Sequence, residues 1–115
     1  HAVVLFGSRA RGDYKPWSDY DLLVVADFDK PYLDRIGEVL DLLKDVEVPV
    51  EVHPYTLEEA LSMLKKGNVM LVDAFEEGKI LYQNEGGKIL AQTLQELKRR
   101  GLRKTSTTVV VPDEE

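Results

Sequence analysis

A chain of 115 residues with 43% hydrophobic content can bury one core but not two, so it reads as a single globular domain. Its formal net charge of −6 opposes general attraction to nucleic acid or anionic membrane, so any nucleic-acid contact has to be local. The chain contains no cysteine, which excludes disulfides, thiolate metal sites and cysteine nucleophiles. No apolar run approaches the ~20 residues of a membrane span and no signal-peptide pattern precedes the first strand, so the expectation is a soluble, cytoplasmic protein. It begins at His1 and enters a strand almost at once, as a processed, truncated or partial chain would.

In chain order, Ala2 to Phe6 (AVVLF) is a short, β-branched apolar run that predicts a buried central strand. Gly7 and Ser8 then form a tight corner. Gly7 allows a backbone approach to phosphate that a side chain would block, and Ser8 can cap the following RARG turn or offer its hydroxyl to a phosphate oxygen. Arg9 and Arg11 flank the corner, either as solvated surface charge or as groups that neutralise a triphosphate. Asp13 to Ser18 has turn chemistry, with Pro16 stopping any helix; Trp17 is a packing lid or a stacking surface, and Ser18 braces the acidic residues beyond it.

Leu22 to Ala26 predicts a second strand, apolar on both faces, with Asp19 and Asp21 at its entrance. Residues two apart in a strand share a side. The connection from Gly7 to Ser18 is too short for a parallel crossover, so the two strands are expected to be antiparallel, with the Gly7-Ser8 corner beside the two acids. Two like charges held together call for a cation between them. A corner rich in N–H groups suits phosphate and a carboxylate pair suits a hard divalent ion, so the stretch predicts a metal–nucleotide site.

Pro31 opens a predicted helix with Leu33, Ile36, Val39, Leu40 and Leu43 on its buried face. The strand expected next, Val46 to Tyr55, would lie parallel to the second, turning Val48, Val50 and Val52 to the core and Glu51 outward, where its carboxylate can join Asp19 and Asp21. Glu47 shares the alternation and is the reserve candidate; His53 reads as surface or packing. Thr56 to Glu59 has capping-box spacing ahead of a helix, Gly67-Asn68 breaks it, and a second helix runs from Val69 to Glu77 with Gly78 closing it. A brief strand, Ile80 to Tyr82, and a helix, Lys88 to Arg100, come next, the basic cluster Lys98-Arg99-Arg100 complementing the negative helix end. These elements make up a predicted domain over 1–104. In the tail, 105–115, three readings stay open: an added edge strand, a dimer contact, or disorder.

Gly7-Ser8, ten residues, then Asp19-Tyr20-Asp21 resembles the signature of the DNA polymerase β nucleotidyltransferase superfamily, and GSRARG…SDYDLLVV resembles its minimal nucleotidyltransferase (MNT) branch. That resemblance implies an α/β (α+β) fold, a small mixed sheet with helices packed on it, although members usually carry a helix before the first strand. It implies that Asp19, Asp21 and Glu51 hold two Mg²⁺ ions, with Gly7, Ser8, Arg9, Arg11 and Ser18 around the nucleotide, ATP by preference. Many relatives have Asp where Glu51 stands. It also implies transfer of AMP to a hydroxyl, a tyrosine of a HEPN-domain toxin partner, in an antitoxin role. Two rivals are a nucleotide- or partner-binding module without turnover and an enzyme acting on a small molecule of the antibiotic type; one domain of this size lacks an evident pocket for the latter.

Overall fold

The computed structural model describes residues 1–104 and 109–112. Strand β1 (Ala2–Phe6) lies between two antiparallel neighbours, β2 (Tyr20–Val25) and β4 (Lys79–Gln83), and β3 (Val50–Tyr55) runs parallel to β2 at the edge. The order is β3-β2-β1-β4, the mixed sheet of the expected α+β class. A single turn, α1 (Ser8–Arg11), bridges β1 toward β2, and α2 (Tyr32–Leu42) makes the crossover to β3. Helices α3 (Leu57–Lys65), α4 (Val69–Glu77) and α5 (Glu85–Arg99) supply the other layer.

Strand alternation divides the sheet into two unequal faces. On one, Ala2, Val4 and Phe6 of β1 and Leu23 and Val25 of β2 pack on Ala60, Leu64, Leu71, Val72, Ala74, Leu90 and Leu94, all buried. On the other, Val3, Leu22 and Val24 meet Val39, Leu42 and Leu43 around a cleft of about 300 Å³, so α2 covers that face only in part.

The register corrects the expected orientation of the third strand. Leu23 pairs with His53 and Asp21 with Glu51, so Glu51 and His53 stand over the same face as the main core, at its open end. Val52 is buried instead on the α2 side, with the alternate residues. The strand also starts at Val50, not Val46: Val46 and Val48 are 47% and 42% exposed. Pro49 has no N–H to add to a ladder, and its carbonyl accepts from Tyr20 N at 2.8 Å just where pairing begins.

Helix α2 is rotated from the periodic reading. Leu33 is 78% and Leu40 42% exposed, whereas Arg35 is buried beside Val39. Arg35 donates to the Lys30 carbonyl at 2.7 Å and to both Glu59 carboxylate oxygens at 2.7 and 3.3 Å. This pairing lets a cation occupy the inward stripe in place of a leucine. The α3 capping box forms as expected: Glu59 N donates to Thr56 Oγ1 at 3.1 Å and Thr56 N to Glu59 Oε1 at 2.8 Å. Asn68 caps α4 through Leu71 N.

Helix α5 begins at Glu85, three residues before the expected Lys88, because Asn84 Oδ1 accepts from Gly86 N and Gly87 N and holds those glycines in the first turn. Of the predicted tail, residues 105–108 and 113–115 lie outside the described residues. In the described remainder, β6 (Val109–Val110) pairs with β5 (Arg103–Lys104) and not with the edge of the main sheet. Val109 and Val111 pack where Gly67 has no side chain. Among the described residues no helix is long and apolar enough to cross a membrane.

Candidate active site

The site is assembled where β1 ends, β2 begins and β3 begins. Phe6 pairs with Asp21, and Asp21 pairs with Glu51, so one row across three strands carries both carboxylates. Immediately after Phe6, Gly7 adopts φ 75° and ψ −160°, a region open essentially to glycine alone. A methyl group there would collide with Asp21 Oδ2 and stand 3.3 Å from Cγ. The glycine is therefore required twice, by backbone conformation and by the carboxylate pressed against it.

His53, two residues beyond Glu51 on the same strand face, completes the group. Its Nε2 lies 3.7 Å from Asp21 Oδ1 and 4.0 Å from Glu51 Oε1. One donor atom from each of Asp21, Glu51 and His53 falls within 4.8 Å of the others. The Phe6 ring supports the imidazole at 5.3 Å between centroids and 59° between planes. Nε2 is buried without a hydrogen-bond partner, since both carboxylates are beyond bonding distance. Reading His53 as surface or packing missed this, although the alternation that selected Glu51 also selects the residue two further on.

The other candidates fall around this group. Asp19 is exposed, one residue before β2, and stands outside the three-residue cluster. Glu47 lies in the exposed segment ahead of β3, so Glu51 is the carboxylate beside Asp21. Ser8 is the first residue of α1 and Gly7 its N-cap, with no side-chain capping bond, which corrects the expected cap role of Ser8. The first N–H groups of such a turn have no partner inside it. Arg9 is turned to the loop: its guanidinium sits 4.1 Å from the Tyr14 ring centroid and 4.4 Å from that of Tyr20, and donates to the Ser18 carbonyl at 3.2 Å. Ser18 Oγ accepts from Lys15 N at 2.9 Å, closing the turn that Arg9 grips. Arg11 pairs with Asp13 at 3.3 Å and reaches Glu77 at 3.9 Å.

Two carboxylates and an orphaned imidazole nitrogen, converging at a sheet edge beside a glycine corner, fit a divalent cation by donor type and spacing. The model of the nucleotidyltransferase domain family matches residues 1–82. The chain belongs to this family.

The nucleotidyltransferase match thus covers every residue of the cluster and the whole four-stranded sheet but the last residue of β4. A chain from Methanocaldococcus jannaschii (strain ATCC 43067) assigned as a protein adenylyltransferase is 38% identical over 80 residues, 70% of this chain and 76% of that one. Among solved structures, a toxin-antitoxin with AMP-PNP superposes with a TM-score of 0.57 at 20% identity, covering 86% of this chain and 75% of that chain. A mutant of the toxin-antitoxin MntA-HpeT gives 0.57 at 18% identity over 86% and 75%, and a second mutant gives 0.55 at 20% over 86% and 74%. At those identities the structures share the fold. The nucleotidyltransferase domain is accordingly a transferase of nucleotidyl groups.

Proposed function

We propose that this nucleotidyltransferase domain transfers AMP from ATP to a tyrosine hydroxyl of a HEPN-domain toxin and so acts as its antitoxin in the cytoplasm. The observation that carries the reading is the close fit of Gly7 against Asp21 with Glu51 in register beside it. That fit leaves backbone, and no side chain, next to the acids, as a bound triphosphate requires. Further support comes from the likeness to an assigned protein adenylyltransferase and from the toxin-antitoxin fold.

Asp21 and Glu51, with Asp19 at the mouth, would hold Mg²⁺, in the two-ion form that phosphoryl transfer commonly uses. A metal held there would neutralise triphosphate charge and favour the ionised acceptor. Glu51, exposed at the edge, would accept the proton of the hydroxyl, which has an ordinary pKa of about 10 for a tyrosine. The acceptor oxygen attacks the α-phosphorus, the bond from that phosphorus to the β-bridging oxygen breaks, and pyrophosphate departs with the electron pair. Arg9 and Ser18 hold the loop in front of Asp19, while the Gly7-Ser8 corner and Arg11 border the phosphates.

Incubation with ATP labelled at the α-phosphate, Mg²⁺ and a purified HEPN-domain protein tests the reading. Label is expected on the partner with the wild type, and its transfer is expected to fall about 100-fold or more in Asp21→Asn and Glu51→Gln. An unlabelled partner, or full labelling by both variants, would overturn it.

A further inference from the structure

We propose that His53 is itself a ligand of the divalent ion held by Asp21 and Glu51, so that this site takes first-row transition ions, Mn²⁺ among them, in preference to Mg²⁺. The inference rests on the metal-dependent reading of the site but assigns a residue that the reading does not use. Three observations carry it. First, Nε2 of His53 is buried and has no hydrogen-bond partner, an unfavourable state for a polar atom unless something else engages it. Second, its distances of 3.7 Å and 4.0 Å to the two carboxylate oxygens exceed hydrogen-bond length. They fall between the separations of about 3.0 Å for cis and about 4.2 Å for trans donors around one octahedral ion, so a small closure would bring the donors onto one cation. Third, the imidazole is oriented independently of any ion: its side chain is 19% exposed and it leans on the Phe6 ring at 5.3 Å.

A packing role alone leaves the nitrogen unexplained. An apolar residue would fill the space beside Phe6 without burying an unpaired polar atom. At 3.7 and 4.0 Å the imidazole lies within ion-pair range of both carboxylates yet hydrogen-bonds to neither, so an ion pair alone still leaves the nitrogen without a donor or acceptor contact. An all-oxygen donor set suits Mg²⁺, which dehydrates reluctantly; exchanging one oxygen for imidazole nitrogen raises affinity for later divalent ions relative to it. The consequence is a nucleotidyltransferase site tuned by a single strand residue toward transition ions, of which paramagnetic Mn²⁺ is the probe.

The test reads the metal directly, without turnover. Mn²⁺ is added to the protein with inorganic tripolyphosphate, which contains no nitrogen, and pulsed electron paramagnetic resonance looks for ¹⁴N coupling to the ion. A nitrogen coupling in the wild type that is absent in both His53→Phe and His53→Gln is expected. Competition should show the Mn²⁺-over-Mg²⁺ preference falling about tenfold in His53→Phe. Thermal melting of both variants checks that the fold survives, and His53→Gln, with an oxygen donor, is expected to keep Mn²⁺ bound. Mn²⁺ bound by the wild type without nitrogen coupling, or a coupling that persists in both variants, overturns the role of His53 and leaves the carboxylate site standing. No Mn²⁺ binding by the wild type overturns both readings.

Discussion

Gly7 shows how much chemistry one missing side chain can carry. At φ 75° and ψ −160° it occupies a conformation that costs other residues about 1–3 kcal/mol, and a Cβ would also strike the Asp21 carboxylate. Gly7→Ala is therefore expected to lower stability by roughly that amount and to abolish label transfer even in the folded fraction. Denaturant unfolding alongside the α-labelled ATP assay checks both; an alanine variant as stable and active as the wild type would show the corner to be an ordinary turn. Gly7, Asp21 and Glu51 were all legible as site candidates because their spacing and alternation are local properties. The tasks of Arg9 and His53 were not, because each depends on groups beyond its immediate neighbours: Tyr14, Tyr20 and the Ser18 carbonyl for one, Phe6 and Asp21 for the other.

At the scale of elements, α3 is the best-specified helix and α2 the one whose face was misread, and the same side chain joins them. Glu59 closes the α3 capping box and also receives Arg35 of α2. The Arg35 guanidinium, followed by the Thr56 N–H, lowers the Glu59 pKa. A carboxylate with a folded pKa below its unfolded value stabilises the fold above the unfolded range, about 4.3, and loses that contribution as pH falls through the folded value. The stability difference between wild type and Glu59→Gln is therefore expected to be present at pH 6 and to shrink toward pH 3, read from denaturant midpoints across that range. Parallel curves would mean that the pair contributes nothing. Thr56→Ala, which removes only the cap, is expected to cost about 1 kcal/mol.

For the whole molecule, the unequal faces of the sheet set what is robust and what is exposed. Helices α3, α4 and α5 bury one face, and at its open end that same face carries Asp21, Glu51 and His53. Leu90 is fully buried on α5 in this layer, so Leu90→Ala is expected to cost about 2–5 kcal/mol in equilibrium unfolding. A loss under 1 kcal/mol would indicate that the layer is looser than its burial implies. The candidate carboxylates thus stand on the better-packed side of the sheet, in register with each other.

Sequence alone sufficed for the strand-corner-strand unit, the antiparallel pairing of its strands, the capping box of α3 and the proximity of Gly7 to Asp21. Each rests on spacing, turn length or alternation within a few residues. Tertiary packing was needed to choose the sheet face that the acids share with the core, to turn one stripe of α2 inward and to bring His53 to the carboxylates. Alternation states that residues are on the same side but not which side is covered, and that choice is made by the helices that pack there.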